Sequence, residues 1–206
     1  RLDAVVVSHG DADHAGGLGA IRRRIPAGAV FAARDAGIAG AAPCLAGSQW
    51  QADGVRLRFL HPHLHFPDLR NESSCVLRIE SAHGAVLLMG DVGEVVERML
   101  VHDDPAALRA DVVLAAHHGS RGSSDPAFVA ATGASWMLAS AGHGNRFGHP
   151  HPTTLRRWQD AGARVAATAE QGALVVRLQP DGTHIASRRE AQPRLWDAVR
   201  RAGRAR

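Results

Sequence analysis

The segment richest in potential chemistry is Ser8–His14, SHGDADH, where His9, Asp11, Asp13 and His14 put four metal-ligating side chains within six positions. Imidazole nitrogens and carboxylate oxygens without thiolates describe a catalytic rather than a structural metal site. The segment follows an apolar, β-branched run, Asp3–Ser8, that reads as a buried strand, so one loop at a strand end can turn all four groups inward. His9 and Asp11 lie two apart and Asp13 and His14 are adjacent, a pattern that offers one pair to each of two neighbouring cations. The small residues that follow, Ala15, Gly16 and Gly17, leave room for a close backbone approach.

Three later segments carry groups suited to the same chemistry. LLMGD ends an apolar strand at Asp91, where a carboxylate can bridge two cations roughly 3.5–4 Å apart; alternatively Asp91 caps a helix beginning near Glu94. DVVLAAHHGSRGSS, from Asp111, leads a strand into His117 and His118, which the pleat of a strand would send to opposite sides. His118 is taken as the ligand and His117 as its support or a proton-handling group, with the reverse assignment open. Gly119, Ser120, Ser123 and Ser124 either donate to a phosphate or form a plain flexible loop. SAGHGNRFGHPHP, from Ser140, presents Asn145, Arg146 and His149 on a glycine-rich loop between a strand and a helix. Arg146 suits the charge of a phosphodiester, and His149 suits proton donation to a leaving group or metal ligation. The candidate set is therefore His9, Asp11, Asp13, His14, Asp91 and His118 for metal, Asp13, His117 and His149 for proton handling, and Ser120, Asn145 and Arg146 for substrate.

These groups need a scaffold, and the chain supplies one of alternating short elements. Strands are expected at Asp3–Ser8, Ala29–Ala33, Val55–Leu60, Cys75–Glu80, Ala85–Met89, Asp111–Ala116, Ser135–Ala139, Arg164–Thr168 and Ala173–Leu178. Helices are expected at Ala15–Arg24, Glu94–Val101, Asp125–Thr132 and Pro152–Ala161, the last opened by proline. Strands cluster early and alternate with helices later, which implies an α/β domain of sheets covered by helices. A chain of 206 residues with 45% apolar composition fits one compact domain over residues 1–187, followed by a basic tail over 188–206. Its longest apolar runs fall far short of the roughly 20 residues that cross a bilayer. It opens on Arg1 directly into a strand, without a leader, and reads as part of a longer protein. Cys44 and Cys75 are read as two small buried hydrophobes rather than a bridge. His61, His63 and His65, in HPHLHF, are read as a surface loop or spare coordination rather than as core ligands. The net charge of +4 is concentrated at Arg22–Arg24 and in the tail, which suits a polyanionic partner or ordinary solvated surface.

HxDxDH, His9 to His14, resembles the metallo-β-lactamase signature HxHxDH with Asp11 in place of its second histidine, a variation similar to the hydrolase domain of ComEC-type DNA-uptake proteins. The resemblance continues in order through Asn71 with Ser74, then Asp91, then the segments from Asp111 and Ser140. It implies an αββα sandwich with the metals at one end of the packed sheets, and further N-terminal strands ahead of the first motif. It also implies two divalent cations, hydrolysis of a phosphodiester in DNA, and a parent inner-membrane protein whose channel portion adjoins a soluble, extracytoplasmic hydrolase domain. Asn71 stands where many members have a histidine, and the carboxylate-rich set shifts preference toward manganese, with zinc retained and magnesium possible. Two other functions fit the same residues: hydrolysis of a small phosphodiester or other ester, and an inert DNA-guiding domain.

Overall fold

The computed structural model describes residues 1–197. Its elements run β1 (Leu2–Val7), α1 (Ala12–Ala15), α2 (Leu18–Arg24), β2 (Ala27–Ala32), β3 (Ala42–Pro43), β4 (Gln49–Ala52), β5 (Val55–His61), β6 (Val76–Ser81) and β7 (Gly84–Leu88). They continue with α3 (Glu94–Asp103), β8 (Val112–Leu114), α4 (Pro126–Thr132), β9 (Trp136–Ala139), α5 (Pro152–Asp160), β10 (Arg164–Ala167), α6 (Thr168–Gln171), β11 (Leu174–Gln179), β12 (Gly182–Ser187) and α7 (Arg188–Ala191).

Two sheets face each other. β1, β2 and β3 form a parallel three-stranded sheet, in which Val5 pairs with Val30. The second sheet has the order β10-β9-β8-β7-β6-β5-β4, parallel from β10 to β7 and antiparallel from β7 to β4. Between the sheets pack Phe31, Trp50, Phe59, Leu77 and Ile79. The outer face of the small sheet is covered by Leu18 of α2 against Val7 and Ala32. The outer face of the large sheet buries Leu87, Val113 and Met137 under Val96 and Leu100 of α3, Phe128 of α4 and Trp158 of α5. This is the αββα sandwich. The β11–β12 hairpin lays Leu174, Val176 and Ile185 over Val112, Leu138 and Ala166, so the central parallel strands are apolar on both faces, as strands covered on both sides must be.

The structure departs from the sequence reading at several points. Cys44 and Cys75 form a disulfide with Cα atoms 5.9 Å apart. They lie 31 positions apart without a pairing motif, and only the facing of the two sheets brings them together. His61 is not on a surface loop: it ends β5 fully buried, donates from Nε2 to the Glu72 carbonyl at 2.7 Å, and packs edge-on against Phe66. Burial pushes its pKa down to about 4. The helix expected over Ala15–Arg24 is broken at Gly16–Gly17, and its first turn starts at Ala12, so Asp13 and His14 ride on a helical turn rather than a loop. β8 stops at Leu114, two residues short, because His117 and His118 are both left-handed, with φ of 48° and 55°. β3, β4, β12, α1, α6 and α7 have weak or no period and were not expected. Of the basic stretch from Arg188 onward, Arg188 forms α7 and pairs with Asp197 at 2.6 Å, while residues 198–206 lie outside the described residues.

Candidate metal centre

Every candidate ligand follows the carboxyl end of a strand, and those ends converge. β1 delivers His9, which is wholly buried, and the turn of α1 delivers Asp13 and His14. β7 delivers Asp91, only 5% exposed, through Gly90. Gly90 has a φ of 57°, and a β-carbon there would lie 2.6 Å from that of Ser74, so only glycine lets this strand end pass Ser74. The Ser74 hydroxyl in turn accepts from the Asp91 backbone N–H at 3.1 Å. Asp91 does not cap α3; that position belongs to Gly93, whose N–H is bound by the Glu72 carboxylate at 3.0 Å.

Around Asp91 stand four imidazoles. His14 Nε2 is 3.2 Å from Asp91 Oδ1, and Asp91 Oδ2 is 3.6 Å from His118 Nε2 and 3.9 Å from both His9 Nε2 and His117 Nε2. His14, His9 and Asp91 form one group whose ligand atoms lie within 4.8 Å of one another, and Asp13, His14 and His118 form a second. His14 belongs to both. His118 Nε2 lies 3.2 Å from His14 Nε2 and 3.3 Å from Asp13 Oδ2.

The other ring nitrogens show which way these imidazoles are set. His118 Nδ1 lies 2.8 Å from the Ser140 carbonyl oxygen, which can only accept, so Nδ1 carries the hydrogen and a neutral His118 presents a bare lone pair at Nε2. Ser8 Oγ stands between His9 Nδ1 at 3.2 Å and His14 Nδ1 at 2.9 Å, orienting both rings. His9 Nε2 is then buried with no hydrogen-bond partner, a costly condition for a polar atom. Burial, and then the neighbouring His14, lower the His9 pKa, which keeps the ring neutral and able to ligate. An orphaned buried imidazole nitrogen facing carboxylates is what a divalent cation would complete, and the residues fit such ions.

Asp11 and Asp13 are more open. Asp11 binds the Arg70 guanidinium at 2.9 Å, and this hydrogen bond is the main reason its pKa is lowered. Arg70 itself has a φ of 52°, held by its N–H to Asp35 at 2.8 Å.

The centre opens into a cleft of about 550 Å³ lined by Asp11, Asp13, Asp91, His117, His118 and His149, among others. Asn145 also lines it, but its amide closes the loop on itself, donating to the Gly142 and His149 carbonyls and accepting from the His149 N–H. His149 lies beside His117 and His118, with ring centroids 5.8 and 6.4 Å away. Burial, and then these two histidines, lower its pKa, and its Nδ1 is buried without a partner. Arg146 and Ser120 do not line the cleft; Arg146 covers the ring of Phe147, which does. The GSRGSS loop is not flexible filler: Ser123 Oγ donates to the Ala116 carbonyl, Ser124 Oγ accepts from Trp158, and the buried Glu97 accepts from the N–H groups of Ser124 and Asp125. Ser8, Ser140, Arg70 and Phe147 were not marked by the sequence. Ser140 acts through its carbonyl, which no side-chain pattern records, and Arg70 meets Asp11 across 59 positions.

Fold and centre together define a class. A model of the metallo-β-lactamase superfamily matches residues 1–143, and the chain belongs to that superfamily. Its relatives among characterised proteins are of the ComEC type. It is 36% identical over 174 residues to competence protein ComA of Neisseria gonorrhoeae, covering 84% of this chain and 25% of that protein. It is 30% identical over 195 residues to ComE operon protein 3 of Bacillus subtilis, covering 87% and 25% respectively. The chain thus spans about a quarter of the length of these relatives. Among solved structures, CmlA, a diiron β-hydroxylase from Streptomyces venezuelae, superposes with a TM-score of 0.59 at 16% identity, over 91% of this chain and 45% of CmlA. At that identity the likeness is one of fold.

Proposed function

We propose that this domain is a metal-dependent phosphodiesterase that cuts DNA, as the hydrolase portion of a longer ComEC-type uptake protein. The observation that carries the proposal is the pair of ligand groups joined at His14 beside Asp91, with an unpartnered His9 nitrogen, in a chain whose relatives are competence proteins. His9, Asp13, His14, Asp91 and His118 would hold the cations, His14 serving only one of them because its Nε2 has a single lone pair and its Nδ1 faces Ser8, with Asp11 contributing once Arg70 releases it. Divalent cations in that place supply Lewis-acid polarisation of a phosphodiester and neutralise its charge. The mixed set of three imidazoles and three carboxylates fits manganese or zinc, with the carboxylates tilting it toward manganese and magnesium ranking behind both.

The chain's own groups do the rest. Asp13, exposed at the mouth and 3.3 Å from His118, takes the proton of the attacking water. His117, with Nε2 3.9 Å from Asp91 Oδ2, and the adjoining His149 relay a proton from solvent to the leaving oxygen. Asn145 fixes the loop that carries His149, and Arg146, over the cleft residue Phe147, would pair with a phosphate flanking the cut, whereas Ser120 is buried away from the cleft lining. Recognition through the backbone makes binding salt-sensitive and independent of base sequence. No helix among the described residues is long and apolar enough to cross a membrane. On the strength of the competence relatives, the proposed setting is an extracytoplasmic domain attached to the inner membrane through the channel portion of a parent chain.

The test is cleavage of labelled DNA by chelator-stripped protein after adding manganese, zinc or magnesium, with metal content measured in parallel and Asp91→Asn as control. Metal-restored cleavage that the control lacks supports the reading. A folded, metal-loaded protein that leaves DNA intact refutes it.

A further inference from the structure

Phe147 is out of place by the standards of this chain. Phe59 and Phe128 are fully buried, and Phe31 and Phe66 pack against the core, whereas Phe147 is 65% exposed on the wall of a cleft whose other lining is mostly carboxylates, imidazoles and small or polar residues. A lone exposed apolar side chain is ordinary. Two further features set this one apart.

The first is that the loop carrying the ring is held. The loop from Gly142 to His149 is closed by the three hydrogen bonds of Asn145 and by Gly148 N–H to the Asn145 carbonyl at 3.2 Å. Phe147 lies nearly parallel to His149, with centroids 5.8 Å apart and planes 17° apart. The second is a cation on the ring: the Arg146 guanidinium carbon stands 4.8 Å from its centroid. A flat apolar face next to a guanidinium, one ring beyond His149, combines a stacking surface with a phosphate-binding charge. That pairing is how proteins hold single-stranded nucleic acid.

Resting on the phosphodiesterase reading above, we propose that Phe147 and Arg146 form a nucleobase subsite that stacks one unpaired base next to the phosphate presented to Asp91 and its histidines. Bases inside a duplex have both faces covered by their neighbours, so the subsite is filled by a single strand, a frayed end or an extruded base. Arg146, when displaced from the ring or lying along it, pairs with the phosphate of the stacked nucleotide. The cleft therefore favours unpaired over paired DNA through one side chain.

The experiment is fluorescence anisotropy of three labelled oligonucleotides binding the whole chain, with chelator and separately with calcium present. One is a single strand, one the same strand with abasic sites, and one a blunt duplex. For Phe147→Ala, binding of the intact single strand is expected to weaken between about fivefold and about 150-fold. Binding of the abasic strand and the duplex is expected to stay within about twofold of wild type, and Phe147→Trp retains the preference for unpaired bases. Equal weakening for all three ligands, no weakening for any, or wild-type protein that binds intact and abasic strands alike each overturn the subsite. Manganese-supported cleavage by wild type is measured alongside. Cleavage with a silent Phe147→Ala removes the subsite and leaves the phosphodiesterase; base-dependent binding without cleavage does the reverse.

Discussion

Opening the Cys44–Cys75 bridge tests how far the stability of the sandwich depends on one covalent link between its sheets. The cysteines close a loop of 31 positions, from the end of β3 to the start of β6. Chain-entropy arguments assign such a closure about 3.7 kcal/mol at 25 °C, through restriction of the unfolded chain. With a urea dependence of roughly 2 kcal/mol per molar for a domain of this size, the unfolding midpoint falls by nearly 2 M. The assay is urea unfolding followed by circular dichroism on oxidised protein, on protein kept in a phosphine reductant, and on Cys44→Ala/Cys75→Ala. The reduced protein and the double variant should agree, since both cysteines are buried and alanine keeps most of their packing. Cys75 N–H also binds the Ser8 carbonyl at 2.9 Å, next to His9, so manganese affinity should fall together with stability. A midpoint shift below about 0.5 M, equal to about 1 kcal/mol, would show that the non-covalent core alone holds the sheets and would refute the reasoning.

Other outcomes follow from single residues. His9→Ala removes the buried unpartnered nitrogen, and manganese binding by calorimetry should weaken at least on the order of tenfold to a hundredfold, with unchanged binding counting against His9 as a ligand. Burial raises the Glu97 pKa from 4.5 to about 7, against the two N–H groups it accepts. Its favourable contribution is therefore full below pH 4.5 and is lost as pH rises to 7. The stability difference between wild type and Glu97→Gln should shift by about 3 kcal/mol in the variant's favour across that window. Parallel pH profiles for the two proteins would exclude the assignment. Gly119 has a φ of 78°, and a β-carbon there would meet Pro150 at 2.8 Å. Gly119→Ala should cost roughly 2–4 kcal/mol and lower the melting temperature by about 5–15 °C, whereas Gly122→Ala, with open space around it, should melt near wild type.

Much of this centre was legible because ligands must sit at strand ends and the apolar runs that make strands are easy to read. His9, Asp91 and His118 each follow such a run, and the structure brings both histidines within 3.9 Å of the Asp91 carboxylate. The αββα architecture was legible for a related reason: the clustering and alternation of elements, together with the ordered motifs, allow few arrangements. What escaped depends on long-range placement. Neither cysteine carries local evidence of its partner. His61 looked solvated because its neighbours His63 and His65 are polar and prolines flank the segment, yet the Glu72 carbonyl gives its ring a place in the interior. Pleat geometry separates neighbouring side chains only while the strand lasts, and β8 ends before His117, so a left-handed turn brings both histidines into one cleft. Arg70 and Phe147 had no signal beyond residue type.

The parallel run from β7 to β10 places Asp91, His117, His118 and His149 at one rim of the large sheet, where β1 of the small sheet brings His9 and His14 to meet them. The opposite rim is made of the turn between β6 and β7 at Ala82 and His83, the stretch from Pro105 to Ala110 before β8, Gly133 before β9 and Gly162 before β10. No candidate ligand or substrate contact lies there, and Gly133 and Gly162 are tight left-handed turns at the surface. For anyone labelling, tethering or splicing this domain, that rim is the place to attach a fluorophore or graft a loop. An insertion after His83 lengthens a hairpin, while one of equal size after His118 separates the candidate ligands. The fold thus divides its tolerance of change as sharply as its chemistry, one end fixed by its converging side chains and the other free to vary.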